Sequence, residues 1–224
     1  MLLEVGCGYG ACAFRAAEKY GVNVIAVTPS ACQARYAAEK MRDLPDGAGS
    51  VEVLQQGWEE CHRPVDRIVS IGALEHIGRK NYASFFARCR ELLPEEGGRM
   101  MIHCIVQYNQ RNLQRKGIEV THQNVLFAKF IAKEVFPGGQ LSDPDAIIES
   151  AEAAGFNVLR TQRLGLHYAR TLDIWTENLV HNREAAIAVK PQQVYDSYIK
   201  YLTGCATHFR LGHIDLCQFT MSLT

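Results

Sequence analysis

Several short stretches of the chain carry groups that could do chemistry, and each begins where an apolar run gives out. Gly6-Cys7-Gly8-Tyr9-Gly10 follows Leu2–Val5 and puts glycines at alternate positions just before a helix-like segment. Such a loop lets the chain turn sharply and lets a ligand lie against bare backbone, with the helix N-terminus offering free N–H groups. It is not the G-x-G-x-x-G dinucleotide fingerprint, because the third glycine comes one residue early. Thr28 to Gln33 offers a hydroxyl and an amide able to bond sugar hydroxyls, and Gly57-Trp58-Glu59 offers a flat ring able to stack on a purine. Ile71 to His76 brings a carboxylate, Glu75, beside an imidazole, and His103 stands near the end of another apolar run. A carboxylate and a histidine in one site are a proton acceptor and a donor. Each residue also has a plainer reading. His103 reads as a satisfied core histidine, Glu75-His76 as a helix cap with its turn, and Trp58 as core.

The elements that must hold these stretches follow the spacing. Residues 11–20 are rich in helix formers, and Gly21 ends them. Val22–Val27 reads as a fully buried strand, and Ser30 as the N-cap of a helix from about 31 to 42. Further strands are expected at Val51–Gln55, Asp66–Ile71 and Gly98–Val106, with an amphipathic helix over 79–93. Strand and helix alternating in this way predict an α/β fold, a doubly wound, mostly parallel sheet with helices on both faces. In such a sheet ligands bind outside the carboxyl ends of the strands, where all of these stretches fall.

Residues 107–142 break the pattern with a polar, basic lead, an apolar helix around 123–135 and Phe136-Pro137-Gly138-Gly139. They read as an insertion placed to act as a lid. A helix over 143–154 capped by Asp143 or Asp145, a strand over 156–163, helices over 167–182, 184–189 and 192–204 and a last strand near 213–221 complete one domain spanning 1–224.

Composition narrows the function. With 224 residues and 47% hydrophobic content the chain can bury one sizeable core. Lys plus Arg equals Asp plus Glu at 24 each, so no global field points to nucleic acid. No apolar run approaches the roughly 20 residues that span a bilayer, which leaves at most a peripheral membrane contact. Eight cysteines without a C-x-x-C pair read as reduced thiols of a cytoplasmic protein, and no metal site is expected.

E-x-G-x-G-x-G after a first strand resembles the nucleotide loop of class I S-adenosylmethionine (SAM) methyltransferases, and the fold expected is their Rossmann-like one. Those enzymes usually place an acid at the end of the second strand, where this chain has Thr28. The departure points to one branch. GCGYG, VNVIAVTPS, QQGWEE, PVDRIVSIGALEHIG, NYASFF, KFIAKEVFPGG, HYARTLDIW and VYDSYIKYLTGCATHFRLGHIDLCQFT run, in order, like the mycolic acid cyclopropane synthases of the cyclopropane-fatty-acyl-phospholipid synthase family.

That resemblance implies methyl transfer from SAM to a cis double bond of an unsaturated acyl lipid, held on a phospholipid or a carrier protein. The product would be a cyclopropane or, in relatives, a methyl-branched or oxygenated chain. It assigns Gly6, Cys7, Gly8 and Gly10 to the methionine part of SAM, and Thr28, Pro29 and Gln33 to the ribose, although the family usually has leucine where Pro29 stands. Trp58 and Glu59 match the adenine pocket. Glu75, His103 and Tyr168, with the backbone of Ile71, match the holders of a bicarbonate ion beside the transferred methyl, and Cys205 matches a cysteine near it. Tyr168 and Cys205 read by themselves as core. Family members carry an N-terminal helical segment before the first strand that covers SAM and lines the acyl tunnel. A chain beginning at that strand is expected to have a more open site. Two rivals stay in view: an amine methyltransferase, with a short polar pocket instead of an apolar tunnel, and a SAM-binding paralogue that binds without turnover.

Overall fold

The computed structural model describes residues 1–223, which form two compact units. The first comprises Met1–Cys104, Asp145–Gln162 and the chain from Gln218 on, and the second comprises Ile105–Pro144 and Arg163–Cys217. In chain order the first stretch runs β1 (Leu2–Val5), α1 (Ala11–Tyr20), β2 (Val24–Thr28), α2 (Ala31–Lys40), β3 (Val51–Gln55), β4 (Arg67–Ile71), α3 (Leu74–Ile77), α4 (Tyr82–Leu92) and β5 (Arg99–Gln107). Then come α5 (Gln110–Arg115), α6 (His122–Phe130), α7 (Pro144–Ala153), β6 (Phe156–Arg163), α8 (Gly165–His181), α9 (Arg183–Val189), α10 (Gln192–Leu211) and β7 (Ile214–Leu223).

The strands hydrogen-bond in the order β3-β2-β1-β4-β5-β7-β6. The pairs β1–β2, β1–β4, β2–β3 and β4–β5 are parallel, so the Rossmann-like doubly wound sheet is present. Chain order turns back between β1 and β4, which makes that gap the switch point where ligands of such sheets bind. Val24–Thr28 is buried throughout, as an interior parallel strand requires. Strand β5 alternates instead: Met100, Ile102 and Cys104 are buried, while His103 sits half-buried on the opposite side.

Two packing solutions hold the first unit. Helix α1 presents Ala13 and Ala17 to Val24, Ala26 and Val51, small side chains that let a helix lie close to the sheet. Helix α4 presents Phe85 and Phe86, with ring centroids 5.4 Å apart, and Phe86 meets Phe156 at 6.1 Å. Both α4 rings are fully buried, and each contributes about 1.5–3 kcal/mol by leaving water.

The second unit is helical. Ala169 and Leu172 of α8 pack with Leu202, Cys205, Ala206 and Phe209 of α10 and with Leu216. Helix α6 begins at a capping box, where the Thr121 hydroxyl accepts from Asn124 N–H (3.3 Å) and the Asn124 side chain accepts from Thr121 N–H (2.8 Å). Beyond Phe130 it widens into a π-helical turn over Ile131–Val135, where the sequence suggests unbroken α-helix. Asp143 accepts from Asn109 N–H at 2.7 Å and from the Asn112 amide, tying down the start of α5.

Most expected elements fall within two residues of their place. The main correction is α10, expected to end at 204 and found to run on to Leu211. Gly204 does not break it: a Cβ there would sit 2.1 Å from the Phe127 ring, so the glycine is a site of close packing. Among the described residues no helix is long and apolar enough to cross a membrane, no His/Cys/Asp/Glu cluster could hold a metal, and no cysteine is in a disulfide.

Candidate functional site

A cavity of about 550 Å³ opens at the C-terminal ends of β1, β2 and β4, wholly within the first unit. The glycine loop forms its floor. Gly6 and Cys7 donate their N–H groups to Val27 O at 3.0 and 2.9 Å, which continues the β1–β2 ladder into the loop. Gly6 has φ +75°, and a Cβ there would lie 2.4 Å from Ala73 Cβ, so the position admits no side chain. Gly8 has φ +57° and nothing within 4 Å of where a Cβ would stand, so its backbone is bare toward open space. Both line the cavity; Gly10, the N-cap of α1, and the buried Cys7 do not. Burial pushes the Cys7 thiol up to about 11, and it packs with the α1 alanines.

At the end of β2 the buried Thr28 donates its hydroxyl to Gln33 Oε1 at 2.7 Å and accepts from Ser30 N–H at 3.3 Å. The Ser30 side chain caps α2 by accepting from Gln33 N–H at 3.4 Å, as its position suggests. Thr28 therefore serves mainly to orient Gln33, whose carbonyl is occupied and whose amide nitrogen is its donor end. Pro29 and Gln33 line the cavity beside Thr28. Trp58 and Glu59 stand in a 3-10 turn after β3, opened when Gly57 N–H donates to Glu60 Oε1 at 3.0 Å. The half-buried Trp58 is braced edge-on by Phe85 at 5.4 Å, so one aromatic core sets the ring that walls the cavity.

Ile71 lines the cavity from the end of β4, followed by Gly72, Ala73 and His76. Glu75 is half-buried in the single turn of α3, an element whose shortness hid it behind the look of a capped turn. His103 is the register partner of Ile71, and Gly72 N–H donates to His103 O at 2.8 Å. Its Nδ1 lies 3.0 Å from Gln218 Nε2 on β7. Burial holds the His103 imidazole below its ordinary pKa. Glu75, His103 and Ile71 thus belong to the first unit, whereas Tyr168 and Cys205 belong to the second. There Tyr168 meets Phe209 at 5.2 Å and Trp175 at 6.3 Å, and burial pushes the Cys205 thiol up to about 12.

His76, which the sequence places at a strand end beside Glu75 and gives no role of its own, lines the cavity from α3. Sequence reasoning passed over two residues. Asn81 lines the cavity from the turn after α3, and Glu4 is the second. Helix α1 starts at Gly10, which has no side chain to cap it, and Glu4 reaches over from β1 to accept from Ala13 N–H and the Cys12 thiol. The carboxyl is 3% exposed, its Oε2 has no partner, and burial raises its pKa to about 7 against those hydrogen bonds.

With this geometry in place, comparison with known proteins gives one consistent result. The family model for mycolic acid cyclopropane synthetase matches residues 1–219. Cyclopropane mycolic acid synthase 3 of Mycobacterium tuberculosis is 49% identical over 220 residues, 98% of this chain and 76% of that protein. The cyclopropane synthase MmaA2 from Mycobacterium tuberculosis superposes with a TM-score of 0.93 at 44% identity, covering 98% of this chain and 76% of that one. The mycolic acid cyclopropane synthase CmaA1 complexed with SAH and CTAB superposes at 0.91 with 45% identity over the same shares.

Proposed function

The chain belongs to the mycolic acid cyclopropane synthetase family of SAM-dependent methyltransferases, and we propose that it methylates a cis double bond in an unsaturated, mycolate-type acyl chain. A cyclopropane is the proposed product. The observation that carries this reading is the cavity at the β1/β4 switch point, with a bare glycine at Gly8, a donor amide at Gln33 and a braced indole at Trp58. Those three features suit the methionine backbone, the ribose and the adenine of SAM.

SAM supplies the methyl group as an electrophile on sulfur. Attack by the alkene π-electrons forms the new C–C bond and leaves a carbocation on the acyl chain. Loss of a proton from the added methyl, with ring closure, completes the cyclopropane. This chemistry needs a proton acceptor beside the methyl, and bicarbonate fits as one that escapes lasting alkylation. Glu75 and His103, with the Ile71 backbone, are the residues of the first unit we propose to hold it, while Tyr168 and Cys205 of the second unit are proposed on the family resemblance alone. Histidine and tyrosine can donate to an anion, and Glu75 can take a proton onward in a dry site. The half-buried settings of Glu75 and His103 support that role for their unit.

Calorimetry with S-adenosylhomocysteine, followed by mass spectrometry of unsaturated acyl lipids incubated with SAM and the protein, tests the reading. Binding together with a gain of one methylene on the lipid is expected. Binding without lipid product would favour the non-catalytic paralogue, and methylation of small amines instead would favour the other rival.

A further inference from the structure

Gln218 and His103 are 115 residues apart in sequence, yet their side chains meet at 3.0 Å, both half-buried. An amide nitrogen only donates, so His103 Nδ1 must accept. A neutral imidazole that accepts at Nδ1 carries its proton on Nε2, and the hydrogen bond to one nitrogen fixes the role of the other. From this contact we propose that Gln218 is a positioning residue: it holds His103 as the neutral Nε2–H tautomer, so that the ring presents a donor to the anion of the reaction. The inference rests on the reading of His103 given above, but its first test does not.

The surroundings favour the arrangement. Ile71 at the end of β4 and Gly72 just after it are the uncharged neighbours of His103, and on β7 the facing side chain is Gln218 itself. Glu75 and His76 are the ionisable groups of α3, the element that follows β4. The lowered imidazole pKa has burial as its cause, and no charged group contributes to it. A ring kept neutral by burial still has two tautomers, and only a directional partner selects one. Gln218 supplies that direction.

The test uses two variants of the whole chain. Gln218→Leu removes the donor at similar volume. Gln218→Glu replaces it with an acceptor, which should move the proton to Nδ1 and stabilise the imidazolium. Nitrogen-15 chemical shifts of the His103 ring should report the Nε2–H tautomer in the parent protein and mixed tautomers in Gln218→Leu. In Gln218→Glu they should report a proton on Nδ1, with turnover kept while the ring is an imidazolium, whose Nε2 still donates, and lost as the pH rises through its raised pKa, where the parent keeps its turnover. Gln218 does not line the cavity, so both variants should bind S-adenosylhomocysteine as the parent does, which also shows that they are folded. An Nδ1–H tautomer in the parent, or ring shifts indifferent to both substitutions, would overturn the proposal. Ring shifts that respond while the pH profile stays put would uphold the positioning by Gln218 and sink the catalytic reading of His103 instead.

Discussion

The two units hold their side chains by different means. In the first, the polar groups around the cavity are pinned by backbone: the glycine loop by Val27 O, Gln33 through Thr28 and the α2 cap, His103 through its place opposite Ile71. In the second, rings and aliphatic groups on α6, α8 and α10 lie against one another, and α6 has no fully buried residue at all. Sheet register leaves an atom few places to go, whereas a side chain packed between helices can turn about its χ angles. Substitutions in the first unit should therefore strike backbone and binding together. Those in the second should be absorbed by side-chain movement.

The largest effect expected is on turnover. Glu75→Gln keeps the shape of the residue but removes its ability to take a proton, and general-base contributions run to about a hundred- to ten-thousand-fold. Turnover should fall by that much while S-adenosylhomocysteine affinity, measured by calorimetry, stays within about twofold. Parent-like turnover would return Glu75 to a purely structural role.

Next comes a dependence of stability on pH. The Glu4 pKa rises from 4.5 to about 7 on folding, so the folded state binds the proton more tightly than the unfolded chain does. The stability this provides is complete below pH 4.5 and is lost as the pH rises through about 7. Up to about 3 kcal/mol is involved, at 1.36 kcal/mol for each pKa unit. Urea unfolding between pH 5 and 8 should show the decline, and Glu4→Gln should flatten it. A Glu4→Gln profile that still follows the parent's would assign the slope to other groups.

A matched pair of glycines separates backbone strain from ligand contact. Gly8 (φ +57°) and Gly47 (φ +83°) both adopt left-handed backbone with open space at the Cβ position, but only Gly8 lines the cavity. Alanine at either should destabilise by about 1–2 kcal/mol. Only Gly8→Ala should also weaken S-adenosylhomocysteine, by about tenfold, equivalent to 1.4 kcal/mol. Equal affinities in the two variants would move the cofactor off the glycine loop.

Much of this was legible in the sequence because it is periodic or punctuated. Apolar runs ending in glycine or in Thr28-Pro29-Ser30 located the strands, their ends and most of the residues that line the cavity. What was not legible depends on partners distant in sequence. Glu4 looks like a polar residue in a strand; that it caps α1 appears only when β1 and α1 are folded together. Gln218 reads as an ordinary alternating residue of the last strand until β7 comes in beside β5. Gly204 looks like a helix end because a helix breaker and a seat for a neighbouring ring are the same residue type. Tyr168 and Cys205 carry no local signal beyond apolar spacing, and their assignment came from family resemblance alone.

That glycine also provides the smallest predicted effect and the sharpest test of the contrast between units. At Gly6 an added Cβ would meet another Cβ at 2.4 Å with φ already positive, and neither side can yield. At Gly204 the added Cβ would come just as close, but to Cε2 and Cζ of Phe127, the far end of a side chain that can swing. The backbone there is ordinary helix, so alanine gains about 0.8–1.0 kcal/mol of helix propensity over glycine. Against this stands the displacement of a ring stacked on His208 at 4.5 Å, worth about 0.5–1.5 kcal/mol. The two nearly cancel. Gly204→Ala should therefore leave the urea midpoint almost unchanged while loosening α6, so that amides across His122–Phe130 exchange faster than in the parent and those of β1, β2 and β4 do not. A loss of several kcal/mol would show Phe127 to be held as rigidly as Ala73 is, and the distinction between a backbone-pinned unit and a compliant one would fail at this position.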